Sequence, residues 1–259
     1  MLKPRLIPNL LISEGGLVKT KNYKSPKYIG DPINAVRIFN EKEVDELMIT
    51  DIDATIKKTN PNLSLIKSIA KECRMPLSYS GGIKNVNDVE KIIELGVEKV
   101  GISSAIFQNP FLIKEASEKV GSQSIIAIFD VKKVGILKNK YGVFINNGKI
   151  NTGYNLLEAI HSAEKMGAGE ILLNSIDKDG TMLGYDMELA KEFFPKINIP
   201  LTLLGGAGKL EDIKGLFDEF KIIGAGAGSF FIFKGKYRAV LIQYPNSEEK
   251  SSLYSFQNY

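Results

Sequence analysis

Asp45–Thr55 reads DELMITDIDAT, and Gly169–Thr181 reads GEILLNSIDKDGT. Glu46 and Glu170 are 124 residues apart, and so are Asp53 and Asp177. The same offset places Pro76–Gly82 (PLSYSGG) on Pro200–Gly206 (PLTLLGG), and Ser104–Ala105 on Gly228–Ser229. One offset shared by three separate segments signals an internal duplication, so two similar halves and two similar sites are expected.

Eight short apolar runs surround these segments: Arg5–Leu11, Glu46–Asp51, Leu77–Ser80, Lys99–Ser103, Ile125–Asp130, Glu170–Ser175, Leu201–Leu204 and Lys221–Gly226. Rich in Ile, Leu and Val and nearly unbroken, they read as strands covered on both faces. Stretches such as NVNDVEKIIELG and KLEDIKGLF lie between them, polar at the start and apolar at three-to-four spacing, as helices should be. Eight strand–helix units in two sets of four predict an α/β fold, a (β/α)8 TIM barrel built from two similar half-barrels. A doubly wound open sheet would not account for the four-plus-four repeat. The barrel is expected to form one domain over residues 1–245, with 246–259 as a loosely held polar tail.

Bulk properties narrow the function. Hydrophobic residues make up 44% of the chain, enough for a large core. The 34 basic and 30 acidic residues are scattered, and their net +4 suits an anionic small molecule better than nucleic acid. The single cysteine, Cys73, excludes an internal disulfide and a cysteine-rich metal site, and reads as a buried or half-buried thiol. The single histidine, His161, lies in a helical pattern and supports neither a His-dependent triad nor a His-rich metal site. No cofactor or metal is called for. The proline-broken N-terminus reads as neither a signal peptide nor a membrane span, so a cytoplasmic location is expected.

Two long connections, Ser13–Asp31 and Val131–Thr152, each follow the first strand of a half. Loops after barrel strands face the catalytic end, so both are candidate lids or substrate clamps. Gly81-Gly82 and Gly205-Gly206-Ala207-Gly208 each follow a strand and precede a helix, where backbone amides can approach an anion. With Ser103-Ser104 and Ala227-Gly228-Ser229 after the next strand, each half can cradle one phosphate. Two cradles imply a ligand with a phosphate at each end.

Asp130 closes the apolar strand IIAIFD and is the strongest candidate for proton transfer. Asp51 and Asp177, also at strand ends, are possible auxiliaries. LIPNLL (Leu6–Leu11) corresponds to IIAIFD with an offset of 119. Leu11 therefore stands where the other half has Asp130, and a leucine moves no proton.

GAGEILLNSIDKDGTMLGYD (Gly167–Asp186), SYSGGIKNVND, LGGAGK and GSQ…AIFDVKKV together resemble the HisF-type cyclase subunit of imidazole glycerol phosphate synthase, over about Arg5–Phe233. The resemblance implies a duplicated half-barrel and a ribonucleotide substrate with phosphates at both ends. It implies ammonia arriving through the barrel from a glutamine amidotransferase (HisH-like glutaminase) partner. The products would be imidazole glycerol phosphate and an aminoimidazole carboxamide ribotide. By the same resemblance Asp130 is one of two catalytic aspartates, and the other falls on Leu11. Gly82, Ser104, Gly206, Gly208 and Ser229 fall on phosphate-cradling turns, and Arg5, Glu46, Lys99 and Glu170 on a charged ring that gates ammonia. The vacant acid also fits a divergent branch that conducts ammonia for sugar amidation in surface polysaccharide synthesis. The sister isomerase of histidine synthesis shares the half-barrel design but matches the Gly167–Asp186 segment less well.

Overall fold

The computed structural model describes residues 3–135 and 140–254. Eight parallel strands close into a barrel: β1 (Arg5–Ser13), β2 (Leu47–Asp51), β3 (Leu77–Ser80), β4 (Lys99–Ile102), β5 (Ile125–Val134), β6 (Glu170–Ser175), β7 (Leu201–Leu204) and β8 (Gly224–Ala227). Each pairs with the next, and β8 returns to β1 with Arg5 opposite Gly224. This is the expected TIM barrel.

Strand alternation divides the apolar residues into two cores. Ile7, Met48, Ile126, Ile128, Leu172 and Leu204 fill the barrel interior. Residues of opposite parity, such as Leu6, Leu10, Leu47, Ile49, Phe129 and Leu173, pack outward under the helices. The helices begin where the sequence supplies a cap: at Val86–Glu94 the Asn85 side chain accepts from the Asp88 amide at 3.0 Å.

The duplication is visible in register. Leu11 on β1 lies opposite Thr50 on β2, and Asp130 on β5 lies opposite Asn174 on β6. Thr50 and Asn174 are themselves related by the 124-residue offset, so Leu11 and Asp130 are equivalent positions in space.

Both long connections fold as β-hairpins rather than as irregular loops. The first pairs Gly16–Lys21 with Lys24–Gly30, and the second pairs Lys140–Ile145 with Ile150–Asn155. Each extends its barrel strand through an antiparallel pairing. Residues 136–139 of the second connection lie outside the described residues.

The segment after Asn246, expected as a loose end, is docked as far as Tyr254. Asn246 and Glu249 form a capping box for the helix Ser247–Leu253, and Leu253 is buried. Lys250 Nζ pairs with Asp45 Oδ1 at 2.5 Å. The Tyr244 hydroxyl donates to the Leu6 carbonyl at 3.2 Å and accepts from the Asp45 amide at 3.0 Å. The apolar Leu253 and the Lys250 charge give this polar stretch its anchor.

Candidate active site

The carboxyl ends of the strands and the two hairpins enclose a cavity of about 1040 Å³, open solvent at its mouth included. Among the expected site residues, Asp130, Leu11, Asp51, Ser104, Gly206 and Ser229 line it together. The tip of the first hairpin crosses the mouth and is fastened to the loop after β6. Asn22 Nδ2 donates to the carbonyls of Ile176 and Asp177, both at 2.9 Å. Asp179 Oδ2 accepts from Thr20 Oγ1 at 2.8 Å and from the Tyr23 amide at 3.2 Å.

This brings Tyr23 onto Asp130. The phenol donates a short hydrogen bond to Asp130 Oδ1. Asn174 Nδ2 donates to the same oxygen at 3.0 Å and closely approaches the phenol oxygen. Burial pushes the Asp130 carboxyl up to about 6, even though donors from Tyr23, Asn174 and Ser103 favour its ionised form. A carboxyl near 6 can exchange a proton close to neutral pH. Burial and the neighbouring Asp130 hold Tyr23 well above its ordinary range, so the phenol stays protonated as a donor. Leu11, at the equivalent position of the first half, presents only a buried apolar side chain to the cavity.

The two auxiliary carboxylates are placed differently. Asp51 reaches the cavity lining, but its Oδ1 accepts from the amides of Asp53 and Ala54 at 2.9 and 3.0 Å, which makes it the lynchpin of a turn. Asp177 lies away from the cavity lining and accepts from the Lys133 amide at 2.9 Å. Neither is brought onto Asp130.

The glycine turns line the cavity walls at two places. In the second half, Gly206 has φ +108°, and a β-carbon there would lie 2.2 Å from the Gly184 carbonyl oxygen. Only glycine fits. Lys19, from the first hairpin, is buried beside this turn. A β-carbon on Gly228 would fall 1.9 Å from its Nζ, so the missing side chain is what makes room for the amine. Burial lowers the Lys19 pKa, with Asp179 opposing. The Ser229 hydroxyl beside it is buried without a protein partner. An orphaned hydroxyl, a buried amine and a glycine turn at the start of the short helix Ser229–Ile232 are the chemistry that an incoming phosphate oxygen would satisfy. The Gly208 amide already donates to Asp212 Oδ2 at 2.8 Å. In the first half, Gly82 and Ser104 line a recess with Lys58, Lys84 and Lys149 that adjoins the main cavity along Gly81, Ser103 and Ser104. Among the described residues, no group of three or more His, Cys, Asp or Glu side chains is arranged to hold a metal, and no helix is long and apolar enough to cross a membrane.

At the opposite end of the barrel four charges close a ring. Arg5 pairs with Glu46 and with Glu170, the latter at 2.8 Å, while Lys99 pairs with Glu46 at 3.2 Å and with Glu170 at 2.9 Å. Thr202 Oγ1 adds a donor to Glu170 at 2.6 Å. Glu46 and Glu170 are 3% and 4% exposed, so each depends on both cations. Burial would raise the Glu170 carboxyl, but Arg5 and Lys99 outweigh it and hold it below its ordinary value. Between this floor and the mouth stands the apolar layer of Ile7, Met48, Ile126, Ile128, Leu172 and Leu204.

Lys19, Tyr23, Asn174 and Asp179 line the cavity without having been singled out in the sequence. Asn174 was within reach, since it is the 124-offset partner of Thr50 and shares the inward parity of Leu172. Lys19 and Tyr23 carried only the general signal of a clamp loop. His161 lies on an exposed helix face, where its Nε2 meets the Lys196 carbonyl at 3.0 Å. Cys73 is half-buried, and burial pushes its thiol up to about 11.

Comparison with known proteins places this geometry in a family. The family model described as "Histidine biosynthesis protein" matches residues 5–238. The chain is 50% identical over 254 residues to a Leptospira interrogans protein provisionally named imidazole glycerol phosphate synthase subunit HisF, covering 98% of this chain and 100% of the relative. It is 51% identical over 250 residues to a Vibrio vulnificus protein provisionally named imidazole glycerol phosphate synthase subunit hisF3, covering 96% of each. A Clostridium botulinum imidazole glycerol phosphate synthase subunit HisF is 39% identical over 234 residues, covering 90% of this chain and 92% of the relative. The chain belongs to the histidine biosynthesis protein family, as one of its HisF-type subunits.

Proposed function

We propose that this subunit takes ammonia from a glutamine amidotransferase partner through the Arg5–Glu46–Lys99–Glu170 floor and delivers it to the opposite mouth. The observation that carries this reading is the complete four-charge ring beneath an apolar-lined barrel, at the end away from the Asp130 cavity. The recesses around Gly82 and Ser104, and around Gly206, Ser229 and Lys19, suit a ligand carrying phosphate at two places.

Asp130 is the proton-transferring residue in this reading, and it works without a facing acid because position 11 is leucine. Cyclisation is therefore slow, and the delivered ammonia serves an associated acceptor enzyme. Amidation of a sugar in surface polysaccharide synthesis is the acceptor reaction that the resemblance to divergent HisF-like proteins implies. The second reading is a competent cyclase. It converts the bisphosphorylated formimino ribonucleotide, with ammonia, to imidazole glycerol phosphate and aminoimidazole carboxamide ribotide. The retained Asp130 and the two recesses favour it.

One experiment separates the two. The purified chain is given the bisphosphorylated ribotide and an ammonium salt, and in parallel a HisH-like glutaminase and glutamine. Stimulated glutaminase with little cyclised product supports the conduit. Cyclised product at about 1 turnover per second or faster, the range typical of enzymes, supports the cyclase. No product and no stimulation of the glutaminase refutes both.

A further inference from the structure

The two halves of the barrel carry opposite chemistry at matched positions around the cavity floor. By the 119-residue offset Asn9 corresponds to Ile128 and Leu11 to Asp130. By the 124-residue offset Thr50 corresponds to Asn174 and Ser80 to Leu204. The registers agree: Asn9 lies opposite Met48 as Ile128 lies opposite Leu172, and Thr50 lies opposite Ser80 as Asn174 lies opposite Leu204. Where the second half has an acid beside two aliphatic side chains, the first half has an aliphatic side chain beside three neutral polar ones. We propose that Asn9, Thr50 and Ser80 form a recognition site for vicinal hydroxyls in the uncharged midsection of a doubly phosphorylated sugar ligand. This deepens the reading of the mouth as a site for a ligand with two phosphates and rests on it.

The three side chains are linked into a ladder across β1, β2 and β3. Ser80 Oγ donates to Thr50 Oγ1 at 3.1 Å, and Thr50 Oγ1 donates to Asn9 Oδ1 at 2.9 Å. All three line the cavity, and Asn9 and Ser80 are only 5% and 4% exposed. Ile128 and Leu204 show that aliphatic side chains fit the equivalent places, so barrel packing does not require polar groups there. A buried polar group costs stability wherever its hydrogen-bonding capacity goes unused. Capacity is left at both ends of the ladder. Asn9 keeps its amide N–H donors, and Ser80 Oγ keeps acceptor lone pairs. A vicinal diol is the complement: one hydroxyl oxygen accepts from Asn9 while its neighbour donates to Ser80. No member of the ladder is ionisable, so it suits an uncharged group rather than a phosphate. Leu11, opposite Thr50 in register, lays an apolar surface beside the ladder, which suits the C–H face of a sugar. In the order of strands, β1 and β2 stand between β8, which carries the Ser229 turn, and β3, which carries the Gly82 turn. A ligand held at both turns therefore passes over this ladder.

The test measures binding by calorimetry on the full chain, independently of turnover. The probes are the bisphosphorylated formimino ribotide, a straight-chain alkanediol bisphosphate of the same length with no free hydroxyl, and inorganic phosphate. The wild type should bind the ribotide at least about tenfold more tightly than the alkanediol bisphosphate. Thr50→Val keeps the side-chain shape and severs the ladder at its centre, and Ser80→Ala removes one end. Each should weaken the ribotide about three- to tenfold, the worth of one hydrogen bond, and leave the alkanediol bisphosphate unchanged. Urea unfolding checks that each variant is folded, and either one suffices for the comparison. A ladder that only shapes the wall would weaken both bisphosphates alike or neither, and either result would overturn the proposal. Equal wild-type affinity for the ribotide and the alkanediol bisphosphate would overturn it too, while leaving the two-phosphate reading in place. If neither binds more tightly than inorganic phosphate, the two-phosphate reading falls with it.

Discussion

Asp130→Asn should make the protein more stable at alkaline pH. Burial raises the Asp130 carboxyl from an ordinary 3.8 to about 6. At about 1.4 kcal/mol for each tenfold change in proton affinity, keeping that group ionised in the folded state costs about 3 kcal/mol. The sign follows from linkage. The folded state binds the proton more tightly, so its advantage is fully present below about pH 4 and is lost as pH rises through about 6. An asparagine has no charge to bury, and its side-chain oxygen can still accept from Tyr23 and Asn174. Urea unfolding of both proteins at pH 8, 6 and 4.5 measures the difference. The variant should be more stable by about 1–3 kcal/mol at pH 8, and the gap should close as the pH falls. A variant less stable at pH 8, or a gap independent of pH, would refute the burial argument. Such a result would mean that the donors around Asp130 already compensate its charge.

Three further outcomes are expected. Lys99→Met leaves Arg5 as the one cation for Glu46 and Glu170 and should cost about 3–5 kcal/mol in urea; glutamine-supported turnover should fall more than turnover with added ammonium salt. Gly206→Ala forces a β-carbon toward the Gly184 carbonyl at a positive φ, so it should lower stability by about 1–3 kcal/mol and weaken inorganic phosphate binding in calorimetry. Leu253→Ala should cost about 2–4 kcal/mol by thermal or urea unfolding, because the side chain is 1% exposed under the last helix; no loss would mean that this helix is held by its polar contacts alone.

The barrel was legible because its strands are short apolar runs with hard stops. Leu77–Ser80, Glu170–Ser175 and Leu201–Leu204 begin and end where the sequence places them, two of them between a proline and a glycine pair. The run from Lys221 starts later, at Gly224, because Lys221 sits at φ +58° and Ile222 faces solvent. The hairpins do not announce themselves by apolar alternation, because Lys19, Lys21, Lys24 and Lys27 punctuate the first and the outer strands Lys24–Gly30 and Ile150–Asn155 are little buried. Within the site, the duplication pointed to Asp130 and Leu11, since both obey the repeat. Tyr23 obeys no repeat. It meets Asp130 across 107 residues of chain, through a hairpin whose course only the folded molecule reveals.

The docking of the last helix has a consequence for synthesis. Tyr244 and Lys250 hold Leu6 and Asp45, the immediate neighbours of Arg5 and Glu46, and β1 finds one of its two barrel partners only in β8. A nascent chain emerging from the ribosome N-terminus first can assemble most of the staves early, yet it cannot seal the base until the helix Ser247–Leu253 appears. Synthesis must run past Lys250 before the four-charge floor takes its finished shape.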